Sequence, residues 1–119
     1  MLDIVAFFDS VVSKDAGRMR EFFRKDAVIR WHNTKEQFTT DAFVRMNCAY
    51  PGEWNGEIER IETSGDIIIL AARVFSKDNT QSFHVVSFIR TEDYLIKELD
   101  EYWGDDGEPP EWRNKNCES

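Results

Sequence analysis

The sequence predicts a single α+β domain, helices first and then an antiparallel meander of strands. Three observations carry that reading. Apolar residues recur at three-to-four spacing through much of residues 2–49, the helical period, and alternate one by one from Trp54 onward, the strand period. The chain has 119 residues, the usual size of one domain and too short for two independent cores. No interior linker or repeat divides it, so helices and strands must pack as layers around a common core.

Residues 2–12 place Ile4, Val5, Phe8, Val11 and Val12 along one face of a helix, with Asp3, Asp9 and Ser10 mainly on the other. Ser13-Lys14-Asp15 interrupts it, and the Asp15 carboxylate can cap the next helix by accepting backbone N–H bonds. That second helix runs to about Phe23, with Ala16, Met19, Phe22 and Phe23 inward. Residues 27–32 alternate and are rich in β-branched and aromatic types, a short strand, and residues 33–37 read as a polar loop. Residues 41–49 return to the helical pattern, capped by Thr39 or Thr40 and stopped by Tyr50-Pro51-Gly52. Four strands follow at residues 56–63, 67–76, 82–90 and 96–104, with a turn at residues 91–94 between the last two. Residues 104–113, stiffened by Pro109 and Pro110, read as a clamp folded back on the domain, with Trp112 as hydrophobic anchor and Arg113 as ion-pair partner. The domain thus spans residues 1–113, and residues 114–119 form a tail without an anchoring apolar run.

A net charge of −8 counts against nucleic acid or an anionic membrane as a partner. The longest apolar stretches, residues 67–72 and 4–8, fall far short of the roughly 20 residues that span a bilayer, and the start lacks the basic region of a signal peptide. Cys48 and Cys117 lie far apart and fit no metal spacing, and His32, His84 and the acids form no metal motif. A reduced, cytoplasmic chain without metal or cofactor is the simplest expectation.

The element order is that of the nuclear transport factor 2-like superfamily, and three local features carry the resemblance. Residues 22–31, Phe22-Phe23-Arg24-Lys25-Asp26-Ala27-Val28-Ile29-Arg30-Trp31, resemble the passage from helix to first strand in which an acid-Ala pair leads into the strand. Phe83-His84-Val85-Val86-Ser87-Phe88 is similar to the penultimate strand. Residues 96–105, with Glu98, Asp100, Glu101 and Trp103, resemble the last strand of polyketide-cyclase-like (SnoaL-like) members. The resemblance covers residues 2–113 and implies a cone: a strongly curved, mostly antiparallel sheet with about three N-terminal helices, enclosing a pocket. It also implies a homodimer through the sheet.

Strands send alternate side chains to opposite faces, so one direction fixes the rest. Ungapped matching to ketosteroid isomerases, which these strands resemble, points Leu99, Glu101 and Trp103 inward from the last strand. It points His84, Val86 and Phe88 inward from the strand before, and Ile29, Trp31 and Asn33 from the first. The same matching argues against ketosteroid isomerisation, whose base, Tyr and second acid fall on Trp31, Phe7 and Val86, none able to serve. Similarity to limonene-epoxide-hydrolase-like members is partial: Trp31-His32-Asn33 and Glu101 match an aromatic-x-Asn pair and an acid that together position water, but Trp replaces the Tyr and can only donate.

His84, in an apolar strand, is either a general acid/base or a hydrogen-bonded structural residue. Glu101 is either its carboxylate partner in an aromatic-lined cavity or one half of a salt bridge to Arg73 or Arg90. Trp31 and Trp103 are either pocket wall or ordinary core, Asn33 a fixed polar contact, His32 a surface residue and Cys48 packing. The candidate site is therefore His84 and Glu101 as catalytic pair, with Ile29, Trp31, Asn33, Val86, Phe88, Leu99 and Trp103 around a small hydrophobic molecule. Two function classes stay open: a cofactor-independent lyase, isomerase or hydrolase, or a non-catalytic binding or dimeric accessory module.

Overall fold

A computed structural model describes residues 2–116. Its elements run α1 (Ile4–Val12), α2 (Ala16–Glu21), β1 (Phe23–Trp31), β2 (Glu36–Phe38), α3 (Thr40–Ala49), β3 (Trp54–Ser64), β4 (Ile67–Ser76), β5 (Ser82–Glu92), β6 (Leu95–Asp105) and α4 (Glu111–Asn116). Asp3, Asp15 and Thr39 cap the first three helices, each side chain accepting a backbone N–H three residues on. The strands form one sheet in the order β2-β1-β6-β5-β4-β3, with β1 parallel to β6 and every other pair antiparallel. This is the expected α+β architecture with a curled, mostly antiparallel sheet. Among the described residues no helix is long and apolar enough to cross a membrane.

Three elements differ from the sequence reading. The chain enters β1 at Phe23 because Phe23 already pairs with Ile96 of β6, which ends α2 two residues earlier than the apolar spacing suggests. Residues 36–38, the first two of them within the expected loop at residues 33–37, form the edge strand β2 against Ile29–Trp31, reached through Lys35 at φ 57°. The segment after Pro110 is a helix, and Trp112 is 63% exposed, with the Arg113 guanidinium 5.5 Å from its ring centre, so it is no buried anchor. The Cys117 reading and the last residues of the tail lie outside the described residues.

The core fills the concave side of the sheet. Phe7, Phe22, Phe23 and Phe43 meet edge to face at centroid distances of 5.5–5.6 Å, above the fully buried Ile29, Ile89, Ile96 and Leu99. Helix α1 crosses β3 at Gly56, where an added Cβ would lie 2.6 Å from the Phe8 ring and 2.8 Å from Val12.

One irregularity decides which side chains look inward. The β5–β6 hairpin turns on Asp93 and Tyr94, both at positive φ (54° and 67°), the two-residue turn that suits strand twist. Thr91 then pairs with Ile96 but Arg90 with Glu98, so Lys97 is an extra residue in β6, a β-bulge. Beyond it the partners are Ile89–Leu99, Ser87–Glu101 and Val85–Trp103, and residues directly opposite share a face. Without the bulge Phe88, Val86 and His84 would stand there instead.

Candidate functional site

The Lys97 bulge corrects half of the predicted site. Leu99, Glu101 and Trp103 do face inward from β6, as do Ile29 and Trp31 from β1. From β5, however, Phe83, Val85, Ser87 and Ile89 face inward, while His84, Val86 and Phe88 lie on the outer, convex face, the last two 36% and 39% exposed. His84 and Glu101 are thus on opposite faces of the sheet, and the expected Glu–His pair does not exist. His84 instead has Nδ1 2.5 Å from Asp106 Oδ1 and Nε2 3.2 Å from Glu59 Oε2. The Asp106 hydrogen bond, then that of Glu59, holds its imidazole above the ordinary 6.5. It is a clip joining β3, β5 and the end of β6. Arg73 and Arg90, the alternative partners of Glu101, also face outward, to Glu57 and to Asp66 with Glu98.

Glu101 is 8% exposed and has only neutral hydrogen-bond partners. The Trp31 indole N–H donates to its Oε1 at 3.0 Å and the Ser87 hydroxyl to its Oε2 at 2.9 Å. Burial raises its carboxyl above the ordinary 4.5, partly opposed by hydrogen bonds from Ser87, Trp31 and Trp103. Ser87 escaped the sequence reading because it was assigned to the outer face. Its signal is a hydroxyl flanked on both sides by apolar pairs, Val85-Val86 and Phe88-Ile89.

Trp31 and Trp103 are walls of a cavity of about 290 Å³ at the open end of the cone. Helix α1 contributes Val11 and Val12, the end of α3 Asn47 and Tyr50, β3 Trp54, β4 Val74, β5 Phe83, and the end of β6 Asp105. Tyr50, Trp54, Phe83 and Trp103 form an unbroken chain of rings, with centroid separations of 5.5, 5.7 and 6.2 Å. The sequence pattern marks Trp54, Tyr50 and Phe83 only as strand and turn residues. The aromatic types themselves were the available signal.

Two predicted contacts change role. Asn33 reaches the cavity, but its amide is committed: Nδ2 donates to the Trp103 carbonyl at 2.5 Å and Oδ1 accepts the Trp103 N–H at 2.7 Å. The side chain continues the β1–β6 pairing past Trp31 and so fixes Trp103 in the wall. Ile29 and Leu99 are fully buried in the core, outside the cavity wall. Glu101 itself lies one hydrogen bond behind the Trp31 ring. The aromatic, Asn and acid groups do not converge on one point that could hold an attacking water. His32, as expected, is on the outer face, stacked on Tyr102 at 4.4 Å and 2.7 Å from Asp100. A second, open groove of about 800 Å³ between α1 and β3 shares Val12, Lys14 and Trp54 with the cavity but lacks its aromatic enclosure. Among the described residues no group of three or more His, Cys, Asp or Glu could hold a metal ion.

The family model described as a SnoaL-like domain matches residues 4–99. A comparison with curated proteins finds no match. Among solved structures, a proposed ketosteroid isomerase from Kribbella flavida superimposes with a TM-score of 0.81 at 21% identity, over 98% of this chain and 85% of that one. An NTF-2 like protein of unknown function from Burkholderia xenovorans gives 0.78 at 18% identity, over 98% and 91%. An epoxide hydrolase of the LEH-like kind from M. tuberculosis gives 0.69 at 14% identity, over 85% and 79%. At these identities the likeness is one of fold.

Proposed function

Because the chain belongs to the SnoaL-like domain family and carries its nuclear transport factor 2-like cone, we propose that it is a small-molecule-binding protein whose aromatic cavity takes a compact, largely hydrophobic ligand. The observation that carries this reading is the continuous aromatic wall of Tyr50, Trp54, Phe83 and Trp103 facing Trp31 around one cavity. Its volume of about 290 Å³ sits at the small end of the usual range for ligand pockets. Binding is favoured over catalysis because Glu101 lies behind the Trp31 ring, outside the cavity wall, and both its oxygens already accept from protein donors. Proton transfer at Glu101 supports a cofactor-independent lyase or isomerase as the second reading. The convex face, with Val86, Phe88 and Tyr102 at 36%, 39% and 45% exposure, supports pairing of two copies through the sheet.

A panel of small alicyclic and aromatic molecules tests the binding reading by thermal denaturation. A ligand at a hundred times its Kd should stabilise the fold by about 2.7 kcal/mol, read as a rise in Tm. Trp103→Ala should abolish that rise. A panel that never stabilises the wild-type protein contradicts the proposal. The enzyme reading further requires that Glu101→Gln retain binding while removing turnover.

A further inference from the structure

Resting on the reading that the cavity binds a small molecule, we infer that the ligand carries a positive charge, as a compact alkylammonium or quaternary ammonium group. The Trp31 N–H is spent on Glu101 and the Trp54 N–H on the Pro51 carbonyl at 3.0 Å. The Asn33 amide is spent on Trp103, and the Asn47 amide N–H on the Phe43 carbonyl at 2.9 Å. A ligand carbonyl or anion therefore finds these indole and amide donors already taken. Besides the Tyr50 and Thr34 hydroxyls, what remains is mainly ring surface, and an indole whose N–H is engaged recognises a guest through its π-system, whose negative face attracts a cation.

The charges around the cavity point the same way. Asp105 lies in the wall as an exposed carboxylate with no hydrogen bond or ion pair to any described residue. Lys14 is the cationic residue of the wall, and its ammonium is bound by the carbonyl oxygens of Tyr50 and Gly52, the latter at 2.6 Å. The chain's net charge of −8 draws cations toward the molecule at long range.

Three isosteric probes separate the possibilities, with binding to the purified full chain read by calorimetry: choline, the neutral alcohol in which carbon replaces its nitrogen, and tert-butylacetate. Choline should bind about tenfold tighter than the neutral alcohol, the preference a desolvated cation–π site confers. Asp105→Asn, at an exposed position that leaves the fold intact, should reduce choline affinity about threefold and leave the alcohol unchanged. Trp103→Leu should collapse the preference. Equal or tighter binding of the alcohol overturns this inference while leaving the cavity a hydrophobic binding site. Tighter binding of tert-butylacetate overturns it in favour of recognition through Lys14. Failure of all three, together with failure of the apolar panel, overturns the binding reading as well.

Discussion

Glu101 shows how a single residue can be read correctly for direction and wrongly for partnership. Its inward placement follows from strand alternation, but its partner is the hydroxyl of Ser87 across the hairpin, not the imidazole of His84. The consequence is a carboxyl that desolvation holds above its ordinary 4.5, with no cation to bring it back. In the unfolded chain Glu101 loses its proton near that ordinary value, whereas the folded protein retains it to higher pH. Its contribution to stability is therefore fully present below about 4.5 and is lost as pH rises through the folded value. Glu101→Gln removes the titration while keeping an acceptor for the Trp31 N–H. Urea unfolding across a pH series should show wild-type stability falling relative to the variant as pH rises, then levelling. A difference that stays flat would mean the carboxyl is not desolvated. Asn33 was legible as a polar group at the cavity but not as a brace, because its two bonds run to a backbone 70 positions away that sequence alone cannot bring near.

At the scale of elements, the helical and strand periods were readable because each is a local consequence of burying one face. The three-residue strand β2 was not, since a segment so short and exposed carries no alternation to detect. Nor was the Lys97 bulge, for it replaces no residue type that marks it and is defined only by pairing with the other strand. That one inserted residue accounts for the exchange of His84, Val86 and Phe88 with Phe83, Val85 and Ser87. The contact of α1 with β3 depends on a different single position. Gly56→Ala drives a methyl into the Phe8 ring and Val12, and overpacking of this kind costs about 1–3 kcal/mol. Gly104→Ala, where an added Cβ meets nothing within 4 Å, is the matched control and should change stability by less than about 0.5 kcal/mol. Equal effects in denaturant melts would contradict the close approach of helix and sheet.

For the whole molecule, the curled sheet has one face spent on core and cavity and another that mixes ion pairs with apolar surface. Arg30 bridges to Glu98 and Asp100, Arg90 to Glu98 and Asp66, and between these lie Val86, Phe88 and Tyr102. If two copies pair there, Phe88→Glu should convert a sedimenting dimer to a monomer without loss of Tm, since the side chain makes no part of the core. A monomeric wild-type protein would remove that proposal and leave the cavity untouched. The indoles of the cavity report directly on its occupancy. The chain has four tryptophans, three in the cavity wall and Trp112 on the C-terminal helix. A two-dimensional NMR spectrum of the indole N–H groups, recorded while a stabilising ligand is titrated in, should move the signals of Trp31, Trp54 and Trp103 together and leave Trp112 in place. Movement of Trp112 alone, or of none of the four at saturating ligand, would contradict the account.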